Sequence, residues 1–140
     1  MGMAEEIIAE PNFEKLCSNI IDSDNQIRFA AFVNDKSKIL HSAQRDNLDS
    51  LLADHEIGMS IHYTLERWRK AQNFTFRLGK ERLTFTEYDH VTLVTIPFKG
   101  KLLLVSTEPR IPYDPIIVKV NRSLPKRNVK FCAFLHLSNV

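Results

Sequence analysis

At 140 residues, with 44% hydrophobic side chains and only 4 Gly and 6 Pro, the chain suits one globular domain and excludes a disordered or fibrous protein. Two cysteines exclude a disulfide framework, and no apolar run reaches the roughly 20 residues that span a bilayer. The net charge of +2 conceals an asymmetry: residues 1–60 carry 11 acidic and 5 basic side chains, residues 61–140 carry 6 and 14.

The start, Met1 to Glu6, is acidic and lacks the basic flank and apolar core of a signal peptide. Gly2 is not set up for myristoylation either, because Glu6 stands where that signal uses Ser or Thr. A soluble, cytoplasmic protein is expected, with no membrane contact.

Phe13, Leu16, Cys17, Ile20 and Ile21 form one helical stripe, with Asn12 as its N-cap and the turn-forming Asp22 to Asn25 as its stop. Ile27 to Val33 is largely apolar on both faces, which predicts a strand near the middle of a covered sheet. The turn Asn34 to Ser37 leads back into a second strand, Lys38 to Ala43, whose poorer apolar content suits an edge.

The helical stretch Asn47 to Gln72 holds a seam of Ile57, Ile61, Leu65 and Trp68, behind a separate lead-in of Leu48, Leu51 and Leu52. Gly58 lowers helix stability by about 1 kcal/mol relative to Ala, so a break near Glu56–Gly58 is expected. Phe74 to Leu78 alternates, Gly79 marks a bulge or turn, and Leu83 to Tyr88 alternates again, predicting one long bent strand. Val91 to Phe98, a tight Lys99-Gly100 turn, and Leu102 to Thr107 complete a hairpin. Asp114-Pro115 then opens a helix running to Leu124, with Ile116, Val120 and Leu124 inward.

The fold class that follows is α/β (α+β): a five-stranded antiparallel sheet with helices on its faces. The element order is helix-strand-strand-helix-strand-strand-strand-helix. The expected organisation is an N-terminal extension over 1–11, a single domain over 12–125, and a tail over 126–140. Within the tail, Phe131 to Leu135 is too apolar for a solvated end and could be an extra strand, a docked helical turn or a partner-seeking segment.

This order resembles the roadblock/profilin-like group. More narrowly, the blocks Ile20 to Asp35 and Leu65 to Lys70 resemble a small uncharacterised protein family of ammonia-oxidising archaea, extended by Leu78-Gly79-Lys80 and Val91 to Pro97 over roughly residues 13–124. That family often carries a Gly-rich loop after its second strand, which Leu40 to Arg45 lacks. The resemblance brings no activity with it. Roadblock-like modules typically dimerise and scaffold or regulate small GTPases, so it implies a homodimer with a small GTPase or other protein as partner.

Residues able to carry chemistry are few. His55 and His62 lie seven apart, about 10.5 Å of helical rise, too far to share one metal ion. His41, His90 and His136 are isolated, and four scattered glycines cannot build a phosphate-cradling loop. Cys17 lies on an apolar stripe, without the electropositive setting that activates a thiol. Glu81, Glu87 and Asp89 read as the solvated face of strands. No catalytic residue, metal or cofactor is expected, and the chain is not read as an enzyme.

Two basic groups remain. Arg67, Arg69, Lys70, Arg77, Lys80 and Arg82 flank Trp68, Phe74 and Phe76, a composition also found on single-strand nucleic-acid surfaces. The preferred reading turns those aromatics inward, with Trp68 completing the helix seam. Lys119, Arg122, Lys126, Arg127 and Lys130 form a run without a carboxylate and are the predicted partner-binding residues. The expectation is a homodimeric interaction or regulatory module, with a nucleic-acid-associated protein as first alternative and a small-ligand sensor as second.

Overall fold

A computed structural model of the chain describes residues 11–125. Helix α1 spans Phe13–Ser23 and is capped as its sequence predicts, the Asn12 side chain accepting from the Lys15 N–H at 3.1 Å. Strands β1 (Ile27–Val33) and β2 (Ile39–Gln44) follow, joined by a turn in which Asn34 Oδ1 accepts from Lys36 N–H and Lys38 N–H. Helix α2 covers Asp54–Ala71, a 3-10 turn covers Gln72–Phe74, and a single helical turn, α3, covers Thr75–Leu78. Then come β3 (Thr84–Glu87), β4 (Thr92–Phe98), β5 (Lys101–Thr107) and α4 (Tyr113–Ser123).

The five strands form one antiparallel sheet in the order β2-β1-β5-β4-β3. As expected, β1 is internal and β2 is an edge. The β4–β5 hairpin closes through Lys99 and Gly100, both at positive φ (51° and 78°), the two-residue geometry matched to strand twist.

The main core lies between the sheet and the α1/α4 layer. Phe13, Cys17 and Ile20 of α1 and Ile116 and Val120 of α4 meet Phe32, Val94, Ile96, Leu103 and Val105 of the sheet. The opposite face carries a smaller cluster: Ile61 and Leu65 of α2 cover Val33 and Leu102, with Ile57, Trp68 and Leu104 partly buried beside them. A register irregularity between Ile27 and Phe29 turns Ile27 into the α1/α4 cluster with Ala30 and Phe32, against simple alternation.

Other expectations are corrected. Phe74 to Leu78 is helical, not strand. A 3-10 turn follows α2 directly, the Thr75 hydroxyl donates to Gln72 O, and Gly79 at φ 82° ends the turn by donating to Thr75 O. β3 thus shrinks to the four residues that pair with β4. Nor does α2 break at Gly58. It starts at Asp54, where Glu56 Oε1 accepts from the Ala53 N–H at 2.8 Å, half of a capping box. The Leu48–Leu52 lead-in is not helical, and Leu51 and Leu52 are exposed. α4 begins at Tyr113, so Asp114 lies inside its first turn rather than capping it. Among the described residues, no helix is long and apolar enough to cross a membrane.

Candidate interaction surface

On α2, 3.6-residue periodicity puts Ile57, Ile61, Leu65 and Trp68 against the sheet and turns Met59 and Tyr63 away from it. Met59 is 50% exposed and Tyr63 63%. Beyond the helix, the 3-10 turn and α3 bring out Phe74 (59%), Phe76 (76%) and Leu78 (81%). Burying one such side chain contributes about 1.5–3 kcal/mol, so three exposed within five residues are a strong signal for a partner, with Phe74 and Leu78 lining one cleft.

The corner is anchored. Arg67 of α2 reaches Glu81 Oε2 at 2.6 Å and Thr84 Oγ1 at 3.1 Å, and the Thr84 hydroxyl donates to Glu81 at 2.8 Å. This ties the loop before β3 to the helix and holds the corner beside the β3 edge. A cleft of about 220 Å³ opens there between Ala71, Phe74 and Leu78 on one side and Gly79, Lys80 and Glu81 on the other. The Arg77 guanidinium lies over the Phe76 ring at 5.1 Å from its centroid, and Lys70 and Lys80 are exposed nearby in sequence. Among the described residues β3 pairs with β4 alone, so its other edge offers backbone groups that no described strand takes up.

The inward reading of the aromatics is therefore overturned for Phe74 and Phe76, and only partly upheld for Trp68. The corner is the surface that sequence reasoning missed. Its signal is three large apolar residues at alternate positions just before Gly79, a pattern that a half-covered strand also produces.

The predicted basic site is divided. Lys119 and Arg122 both lie on α4, but Lys119 Nζ donates to Asp24 Oδ2 at 2.7 Å, while Arg122 is exposed in the last turn. The Lys119 ammonium and the Gln26 backbone N–H hold the Asp24 carboxyl below its ordinary range. Lys126, Arg127 and Lys130 lie outside the described residues, as do Cys132, His136 and the apolar segment Phe131 to Leu135.

Candidate chemistry is sparse. Cys17 is fully buried, its thiol donates to His41 O at 3.6 Å, and burial pushes its pKa up to about 11. His55 and His62 are exposed on α2. Among the described residues, no three His, Cys, Asp or Glu side chains gather as a metal site would require. The Tyr113 ring stacks on Phe85 at 4.3 Å between centroids, and its hydrogen bond to Glu87 raises the phenol pKa.

A β2-β1-β5-β4-β3 sheet with α1 and α4 on one face and α2 on the other defines a roadblock/LC7-like fold. Solved roadblock structures match it. A roadblock/LC7 domain from Streptomyces avermitilis gives a TM-score of 0.62 at 11% identity, over 81% of this chain and 92% of that one. Myxococcus xanthus MglB gives 0.62 at 13%, over 79% and 87%. The gliding protein MglB from Thermus thermophilus gives 0.65 at 10%, over 84% and 88%. At such identities the likeness is one of fold. By sequence, the chain belongs to the family of unknown function DUF6659, whose model matches residues 3–134, beyond the 13–124 expected from the resemblance. No curated protein matches it in sequence.

Proposed function

We propose that this chain is a non-enzymatic regulatory or scaffolding module that works as a homodimer and engages a protein partner, a small GTPase being the class that roadblock-like modules serve. One observation carries the reading: the exposed corner of Phe74, Phe76 and Leu78, held beside the open β3 edge. A second copy meeting this edge would extend the sheet and cover the corner in one step, the isologous contact expected of a twofold dimer. Charge supports the same pairing. α2 starts with Asp54 and Glu56 and ends with Arg69 and Lys70, so two antiparallel copies set acid against base. The resemblance of the blocks at 20–35 and 65–70 supports an origin in an ammonia-oxidising archaeon, and the buried reduced thiol of Cys17 suits a cytoplasmic home.

Nucleic-acid binding is the second reading, and one feature favours it. Phe74 and Phe76 stand exposed among Lys70, Arg77 and Lys80, as base-stacking rings would. Leu78, exposed in the same turn, has no π-face to offer a base, which favours protein. Native-lysate pull-down with and without nuclease, comparing wild type with a Phe76→Asp/Leu78→Asp variant, separates the two. Nuclease-resistant retention of a GTP-binding protein, lost in the variant, supports the first reading. Retention that vanishes with nuclease and weakens steeply with salt supports the second.

A further inference from the structure

β1 ends at Val33, which pairs with Ile39 of β2 on one side and Leu102 of β5 on the other. The turn over 34–38 and the Lys99-Gly100 turn therefore leave the sheet side by side, at one end. The first turn of α1 reaches the same end. The Phe13 ring lies 4.7 Å from that of Phe32, and Lys101 Nζ stands 5.3 Å from the Phe13 centroid. These three segments carry Lys15, Lys36, Lys38, Lys99 and Lys101 against Glu14 and Asp35. All but Lys101 are exposed, and none of the five lysines pairs with a carboxylate among the described residues. Arg69 also reaches this end, at the Asp35 carbonyl, but its charge is paired with Glu66.

The turns are held in place. Asn34 N–H donates to Lys38 O at 3.0 Å, and Asn34 Oδ1 accepts from the Lys36 and Lys38 N–H groups. Lys99 takes a positive φ of 51°, and its ammonium rests 5.7 Å from the Phe98 centroid. Sequence alone does not signal this surface. Its lysines fall at 15, 36–38 and 99–101, and only the strand pairing gathers them.

We infer that this end of the sheet docks on the anionic headgroups of a membrane leaflet. Its make-up reads the sign of a surface rather than the shape of a partner. The unpaired cations are all lysines, point charges without the planar fork by which arginine grips one phosphate or carboxylate. The clefts of about 350 and 220 Å³ are lined by other residues, so these lysines do not frame a groove for a peptide. Phe13, Phe32 and Phe98 are buried, which leaves no phenyl ring here to stack on a base. Beside the lysines, Ile39 and Leu40 are exposed, apolar side chains of the kind that enter the headgroup boundary while lysines reach out to phosphate. Such peripheral contact needs no spanning helix, and none is present among the described residues. A single copy carries the whole surface, so the inference stands apart from the dimer reading.

Vesicle co-sedimentation of the full chain tests it, with equal parts phosphatidylglycerol and phosphatidylcholine against phosphatidylcholine alone. The wild type should bind the anionic vesicles, ignore the neutral ones and release as salt rises from about 0.05 to 0.3 M. Each lysine near an anionic leaflet strengthens binding about fivefold, so Lys36→Gln/Lys38→Gln/Lys99→Asn should weaken it about a hundredfold. Asn suits the positive φ at position 99, and all three positions are exposed, so the variant keeps its fold. A polarity-sensitive dye on Leu40→Cys, in a Cys132→Ser background, should shift to the blue on anionic vesicles, and one on Asn47→Cys should not. Failure of the wild type to bind overturns the inference, as does equal binding to neutral vesicles. Binding untouched by the lysine variant, or a dye shift at position 47 instead of 40, overturns it by placing the contact elsewhere. Duplex DNA held more tightly than the vesicles at the same salt, and lost in the variant, would assign the surface to nucleic acid instead.

Discussion

Lys119 and Asp24 join the two helices of the main core layer. The ammonium of Lys119, midway along α4, donates at 2.7 Å to the carboxylate at the end of α1. Asp24 is mostly covered and also accepts from the Gln26 N–H at 2.8 Å, so its ionised form is the one the fold favours. A carboxyl held below its unfolded pKa stabilises the fold above the unfolded value, and that stabilisation is lost as pH falls through the folded value. Asp24→Asn should thus lower stability near neutrality, by under about 1 kcal/mol for so exposed a lysine partner, and lose its effect in acid. Urea denaturation at pH 7 and at pH 3 measures both. An equal difference at the two pH values would reject the ion pair as the cause.

Trp68 is only partly buried against Val33, Ile61, Leu65 and Leu102. Removing a fully buried large aromatic costs about 3–5 kcal/mol, so Trp68→Ala should fall short of that, near 2 kcal/mol. Fluorescence-monitored unfolding serves the wild type and circular dichroism the variant. A change under about 0.5 kcal/mol, the size expected of a surface site, would show that the seam ends at Leu65.

Cys17 should be inert in the folded protein. With the pKa raised to about 11 and the side chain fully buried, little thiolate exists at neutral pH and none of it is accessible. In a Cys132→Ser background, alkylation at pH 7.5 should proceed only after denaturant is added. Rapid labelling of the native protein would contradict the packing of α1 on the sheet.

Gly100 sits at φ 78° in the β4–β5 turn with open space around its Cα, so strain, not a clash, decides the outcome there. Gly100→Ala should destabilise by about 1 kcal/mol, while Gly58→Ala, inside α2 and also unobstructed, should stabilise by a similar amount. Thermal melts of the two variants should move in opposite directions. Melts shifting the same way would contradict one of the two backbone assignments.

Much of this fold is local in origin and could be read from the chain. Asn12 caps a stripe that continues to Ile21, and Lys99-Gly100 fixes a turn with no help from distant residues. β1 reads as internal because its apolar character leaves no face for water. The face on which Ile27 lands was not legible, since it depends on a register slip against β5 that only the paired strand reveals. The same limit hid the candidate surface. Five alternating residues, Phe74 to Leu78, satisfy a strand pattern and also one exposed helical turn. The decision between them came from the neighbouring backbone: helical turns follow α2 directly, over Gln72–Phe74 and Thr75–Leu78, and β4 pairs with only four residues of β3. Lys119 misled for a related reason. In sequence it heads a basic run, but in space it belongs to Asp24, 95 residues earlier.

In the homodimer proposed above, the corner beside β3 is covered by a second copy of this chain. Light scattering coupled to size exclusion, at micromolar protein and moderate salt, measures that directly. The wild type should give twice the 16.2 kDa chain mass, and Phe76→Asp/Leu78→Asp, exposed enough to leave the monomer folded, should give that mass once. A wild-type mass of one chain across a hundredfold range of concentration would contradict the dimer.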